Sequence, residues 1–151
     1  MTLSSPILEV LGTPYPWKLE SKKPTQWAAS FQTRDGRKIK IAILLQRAGW
    51  YEILFGEEIE TKKGVVHDLS MTGRGDAFRV VATVIEVVKE FVQSQKPEKM
   101  VFKADSSQSG RVRLYRTLAH KAAKLFGMNV EEVKKDGDIN FRLRAEEPVA
   151  A

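Results

Sequence analysis

The sequence predicts a mixed α/β fold, a mostly antiparallel sheet covered by two helices, and three observations carry that expectation. Two Asp-Gly turns, at Asp35-Gly36 and Asp136-Gly137, each stand between alternating apolar and polar runs, the pattern of β-hairpins. Between them the apolar period lengthens from two to three and four, at Phe78, Val81, Ile85, Val88 and Val92, as in a helix buried along one side. A second helix is bounded by Ser109 at its start and Gly127 just past its end.

In chain order, residues 27–33 and 38–45 make the first hairpin. Ile39, Ile41 and Ile43 alternate there with Lys38, Lys40 and Ala42, and Asp-Gly supplies a tight primed turn. Gly49 breaks the chain before an aromatic and β-branched third strand at residues 50–56, and residues 65–71 form a fourth after a polar loop. Four strands with short connections predict an antiparallel meander. The glycine loop Thr72-Gly73-Arg74-Gly75-Asp76 leads into the first helix, with Asp76 placed to cap it and Pro97 at its exit. Its valines lower the intrinsic helix propensity, so burial must hold it. Residues 100–104 form a short strand, expected to lie parallel to 65–71 through a right-handed crossover. The second helix covers residues 109–126, and residues 129–134 and 139–144 make the last hairpin.

At 151 residues, 42% of them apolar, the chain is expected to be one domain, residues 1–151, with 1–14 and 145–151 as peripheral arms. The absence of cysteine excludes disulfides, thiolate zinc sites and a cysteine nucleophile. No apolar stretch reaches the roughly twenty residues that span a bilayer. The first residues lack a secretory pattern, so synthesis is expected to be intracellular. A net charge of +6 suits nucleic acid or another acidic surface, although Asp and Glu are interspersed nearly everywhere.

Each candidate residue has a functional and a structural reading. Gly73, Arg74 and Gly75 either cradle an anion on backbone N–H groups at a helix N-terminus or make a strand-to-helix turn that needs no ligand. Arg113, Arg116, His120 and Lys124 recur at helical spacing and share a face. With Arg111 they either follow a nucleic-acid backbone or an acidic partner, or form a solvated surface. Tyr115 stands at helical spacing with Val112, Leu118, Ala119 and Ala122, as a core aromatic with its hydroxyl at the rim would. Trp17, Trp27, Trp50, Tyr15 and Tyr51 are core residues or part of an exposed partner patch. His67, Asp68, Asp105, Asp136 and Asp138 lack metal-ligand spacing, so no metal is expected, and no serine elbow suggests a triad.

The segment Ser70-Met71-Thr72-Gly73-Arg74-Gly75 resembles the pyrophosphate loop of the Gcn5-related N-acetyltransferase family, whose pattern is Arg/Gln-x-x-Gly-x-Gly/Ala. Leu114-Tyr115 resembles the Leu/Phe-Tyr of that family's later helix. The resemblance implies an acetyltransferase-like core, the pyrophosphate of acetyl-CoA on Gly73, Arg74 and Gly75, and Tyr115 as general acid towards the departing thiolate. Departures from the pattern are Ser70 for Arg or Gln, and Gln108 and Arg111 for the family's Asn and Ala. Hairpins also replace the two helices that build the family's acceptor site, and Asp76 would compete with a bound phosphate.

The run Thr-Gly-x-Gly-Asp-Ala-Phe-Arg-Val, with Phe-Lys-Ala, Ser-x-Arg-x-x-Leu-Tyr-Arg and Asp-Gly-Asp-Ile-x-Phe-Arg-Leu further on, also resembles uncharacterised and virion-associated proteins of tailed bacteriophages. Altered motifs on a kept scaffold lead to the first expectation: a non-catalytic structural or interaction protein of a phage particle or its assembly. It would take no cofactor, contact itself and other virion proteins, and occur in the host cytoplasm and the virion. One alternative is an acetyl-CoA-dependent N-acetyltransferase, which needs an unfilled splay between the parallel strands. The other is a basic nucleic-acid-binding accessory protein acting through Arg111, Arg113, Arg116 and Lys124.

Overall fold

Period-two alternation builds the first half of the sheet. In the computed structural model, which describes residues 13–61, 64–68, 75–107 and 109–145, with side chains except at 58–61, 64–68, 75–77 and 111, four strands follow one another. They are β1 (Trp17–Lys23), β2 (Gln26–Gln32), β3 (Lys38–Leu45) and β4 (Tyr51–Thr61), and each is antiparallel to the next. Their register sets apolar side chains abreast on one face: Phe31 beside Ile39, Ala29 beside Ile41 and Phe55, Trp27 beside Ile43 and Ile53. The strand β1 was not expected. Trp17 and Leu19 alternate with Lys18 and Glu20, but a register shift between Leu19 and Ser21 breaks the pattern after three residues.

The remaining elements are β5 (Gly64–Asp68), α1 (Gly75–Gln95), β6 (Lys99–Asp105), α2 (Ser109–Phe126), β7 (Met128–Lys135) and β8 (Asp138–Ala145). The sheet runs β1-β2-β3-β4-β6-β8-β7, with β5 added to the far half of β4. A mixed, mostly antiparallel sheet with two helices is therefore what the chain forms. The parallel pair, however, is not the expected one. The strand containing residues 65–68 turns back antiparallel along β4, pairing residues 57–61, and it is β4 itself that lies parallel to β6. The sequence places 65–71 nearest the crossover helix, and periodicity cannot show that β4 is long enough to serve two neighbours. Ala145, expected in the C-terminal arm, ends β8 and donates its N–H to the Glu98 carbonyl.

The two Asp-Gly turns also differ. At Asp136-Gly137 both residues have positive φ, 52° and 81°, the geometry of a two-residue type I′ turn. At Asp35-Gly36 only Gly36 does, at 87°. There the Gly36 N–H donates to the Thr33 carbonyl and the Thr33 N–H to the Arg37 carbonyl, a three-residue loop closed by a glycine bulge rather than a primed turn.

Both helices pack on the same face. Val80, Val81, Val84, Ile85, Val87, Val88 and Phe91 of α1 are buried to 1% exposure or less, which supplies the burial its valine-rich sequence requires. Phe91 meets Trp27 and Tyr51 edge-on, with ring centroids 5.3 and 4.9 Å away. Phe78, counted with the apolar stripe in the sequence, is instead 51% exposed. Thr83 accepts the Tyr15 N–H at 2.9 Å and Arg79 lies 3.7 Å over the Tyr15 ring, so the chain entering β1 is tied to α1. Among the described residues no helix packs on the opposite face.

Candidate functional site

On the helix face, the place to look is where β4 and β6 part. They pair in parallel only at Tyr51–Met100 and Glu52–Val101. Beyond that, β5 takes the same edge of β4 from Glu57 onwards, leaving the edge of residues 53–56 without a strand partner. Tyr115 reaches this gap from α2. Its ring is 5.2 Å from Phe55 on β4 and 6.2 Å from Phe102 on β6, and the three residues are 2%, 2% and 0% exposed. Tyr115 is thus a core aromatic bridging the two diverging strands. A pantetheine chain passing between the strands needs room there, and these three rings occupy part of it. Gly73 and Arg74 lie outside the described residues; Gly75 is the first residue of α1.

The expected basic stripe on α2 is only partly free. Arg113 and Lys124 are exposed, but Arg116 grips Glu132 of β7 through two nitrogens at 3.0 and 3.1 Å, and His120 Nε2 lies 3.3 Å from the other carboxylate oxygen. The Arg116 hydrogen bonds hold the Glu132 carboxyl below its usual value, with His120 adding to the effect and burial opposing it. The same pairing raises Arg116. The side chain of Arg111 lies outside the described set. Arg116 and His120 therefore hold α2 to the sheet. Among the described residues no cluster of His, Asp and Glu could hold a metal ion, and no helix is long and apolar enough to cross a membrane.

The opposite face carries the other candidate. The alternation that turns Met100, Phe102, Ile139, Phe141 and Leu143 towards the helices turns Lys99, Val101, Lys103, Asn140, Arg142 and Arg144 the other way. With the loop after β3 and the β7–β8 turn they border an open groove of about 560 Å³, lined by Arg47, Trp50, Lys103, Asp138, Asn140 and Arg142 among others. Trp50 enters through a sharp loop in which Ala48 and Gly49 both have positive φ, 58° and 78°. Lys99 Nζ ties that loop down by donating to the Ala48 carbonyl. Around the Trp50 ring stand Arg144 at 4.9 Å, Lys99 at 5.3 Å and Arg142 at 5.6 Å. Glu52, which accepts from Gln46, lies 3.9 Å from Lys103.

Within this groove Asn140 is 7% exposed and its Oδ1 has no hydrogen-bond partner among the described residues. Buried amides are ordinarily satisfied, so a buried amide oxygen without a partner in a residue that lines the groove is a specific feature. Sequence reading missed this group. Alternation marks Asn140 and Arg142 as outward residues of an ordinary strand, and only the register of β6 against β8 gathers them with Lys103 and Trp50.

The architecture defines an acetyltransferase-type fold. It is similar to the crystal structure of the GNAT domain of S. lividans PAT, with a TM-score of 0.51 at 10% identity over 82% of this chain. The chain spans 64% of the length of that protein. A Bacillus subtilis acetyltransferase in complex with CoA aligns with a TM-score of 0.48 at 11% identity, covering 87% of this chain and 99% of that one. The Campylobacter jejuni N-acetyltransferase PseH aligns at 0.46 and 12%, covering 82% and 71%. Likeness at these identities shows the fold alone. No curated protein matches the sequence. Residues 15–141 match DUF6934, a family of unknown function, and the chain belongs to that family.

Proposed function

We propose that the chain is a non-catalytic binding protein built on an acetyltransferase-type scaffold. The observation that carries this reading is the packing of Tyr115 between Phe55 and Phe102, where a catalytic tyrosine would need access to a thiolate. Hairpins in place of acceptor-site helices support it, since among the described residues the meander β1 to β4 brings no α-helix to that side. The phage-particle setting rests on the resemblance of the sequence motifs. Calorimetric titration with acetyl-CoA and CoA tests the core of the proposal: no heat at millimolar ligand is the expected result. Micromolar binding, lost in Gly75→Glu, would overturn it.

A second reading is favoured by one observation. The brief parallel pairing of β4 and β6, with Tyr115 at their divergence, suits an acetyl-CoA-dependent N-acetyltransferase if the three rings part when ligand arrives. Gly73, Arg74 and Gly75 would then hold the pyrophosphate. In that case Tyr115→Phe lowers turnover of an accepted amine while leaving CoA affinity unchanged.

A further inference from the structure

We infer that the groove on the helix-free face binds single-stranded nucleic acid, with a base stacked at Trp50, its edge read by the Asn140 amide, and phosphates held by Arg47, Arg142 and Arg144. This names the partner of the binding protein proposed above and rests on that reading.

Three independent features converge on this occupant. The first is Asn140, a groove-lining amide that carries donor and acceptor side by side and whose buried Oδ1 lacks a partner, so that a small turn of the side chain towards a strand would satisfy it. A nucleobase edge presents the matching pair, and it is free to do so only when the strand is unpaired. The second is Trp50, a half-buried ring at the groove with three cations within 4.9 to 5.6 Å of its centre. Aromatic rings on an open sheet are platforms on which bases stack without regard to sequence, and neighbouring guanidinium groups reinforce them. The third is charge. Arg47, Lys103, Lys135 and Arg142 line the groove with Lys99 and Arg144 at its border, against Asp136, Asp138 and the nearby Glu52. Neither Arg142 nor Arg144 is paired with a carboxylate among the described residues.

The distribution of charge also gives a direction. Asp136 and Asp138 outnumber Lys135 at the β7–β8 turn, whereas Arg47, Arg142 and Arg144 lie towards Trp50. Phosphates are drawn to the Trp50 end and repelled from the turn. The groove is open along its length, so it suits a strand passing over the sheet better than a small molecule enclosed in a cavity. A duplex would hide the base edges that Asn140 needs. An acidic peptide would satisfy the cations but bring neither a planar group for Trp50 nor a regular donor–acceptor edge for the amide.

The test is fluorescence anisotropy of the full chain with fluorescein-labelled mixed-sequence 12-mers of single-stranded RNA and DNA. Expected is micromolar binding at 50 mM salt that weakens about tenfold by 200 mM, as two or three neutralised phosphates require. Asn140→Leu and Arg142→Gln should each lower affinity about tenfold with circular dichroism retained and no fall in thermal midpoint. Binding should also quench tryptophan emission, and that quenching should disappear in Trp50→Phe while binding persists. Arg113→Gln with Lys124→Gln, on the helix surface, should change nothing.

Any of four results overturns the inference: no binding of either oligonucleotide, loss through the helix-surface variants instead, competition by a free mononucleotide at the same concentration per nucleotide, or an equal fit to polyglutamate with the same variant pattern. A parallel CoA titration separates the failures. Oligonucleotides unbound with CoA also unbound removes this partner alone, whereas tight acetyl-CoA binding removes the non-catalytic reading beneath it.

Discussion

The two faces of the sheet are made by the same strands and obey opposite rules. Towards the helices, alternate positions are filled by Ile41, Ile53, Phe102 and Phe141 at 1% exposure or less, and the rings of Trp27, Tyr51 and Phe91 interlock. On the other face the intervening positions carry Lys99, Arg142 and Arg144 around Trp50, with one buried amide oxygen left without a partner. The first face follows from burial of apolar area and fixes the fold. The second has no such reason to converge, and its convergence is what points to function.

The sharpest way to break this contrast is to damage the helix face. Phe91→Ala removes the ring on which Trp27 and Tyr51 both rest, and should cost about 3–5 kcal/mol in urea unfolding. A loss below about 1 kcal/mol would mean that the face is not a jointly packed core. Tyr115→Phe belongs to the same face but removes only a hydroxyl, so on the packing reading it should cost about 1 kcal/mol.

That difference in physical cause explains what was legible in the sequence. Alternation of isoleucines at 39, 41 and 43 and the valine spacing of α1 are local signals, and both elements form as read. The partner of β6 is a long-range choice. Nothing within residues 51–61 shows that β4 would pair with β6 at one end and β5 at the other. The buried face of Tyr115 was legible from its helical neighbours, yet its position between diverging strands was not. On the open face, Asn140 and Arg142 look like solvated strand residues, because their meeting with Trp50 depends on a register set by Met100–Leu143 and Tyr51–Met100 pairs. The stripe on α2 shows the converse. Its spacing is as read, but Glu132, sixteen residues from Arg116, engages both Arg116 and His120.

Smaller effects sharpen the contrast. Gly137 holds a φ of 81° at the turn that borders the groove, so Gly137→Ala should cost about 1–2 kcal/mol and disturb Asp138 and Asn140 beside it. Asn140→Leu should do the reverse. It replaces a buried, unsatisfied amide with an apolar group of similar size, and stability should rise by about 1 kcal/mol by thermal or urea unfolding. A clear loss would show that the amide is a structural member of the face, and the division between a face built for stability and a face kept for binding would fail.

The smallest effect should come from the contact that joins helix to sheet edge in water. The Glu132 carboxyl is held below its ordinary value of 4.5, first by its hydrogen bonds to Arg116 and further by His120, while burial acts against them. A depressed carboxyl adds stability that is fully present above its unfolded value and is lost as the pH falls through the folded one. The clamp should therefore be intact at neutral pH and released in acid, below about pH 4.5. Because the Arg116 and Glu132 side chains are 47% and 34% exposed, solvent screens the pair and its contribution is slight. Glu132→Gln should lower the thermal midpoint slightly at pH 7 and by less at pH 3, below the ordinary carboxyl value. An equal loss at both pH values would assign the contact to packing rather than charge, and the edge where α2 meets β7 would then belong with the core.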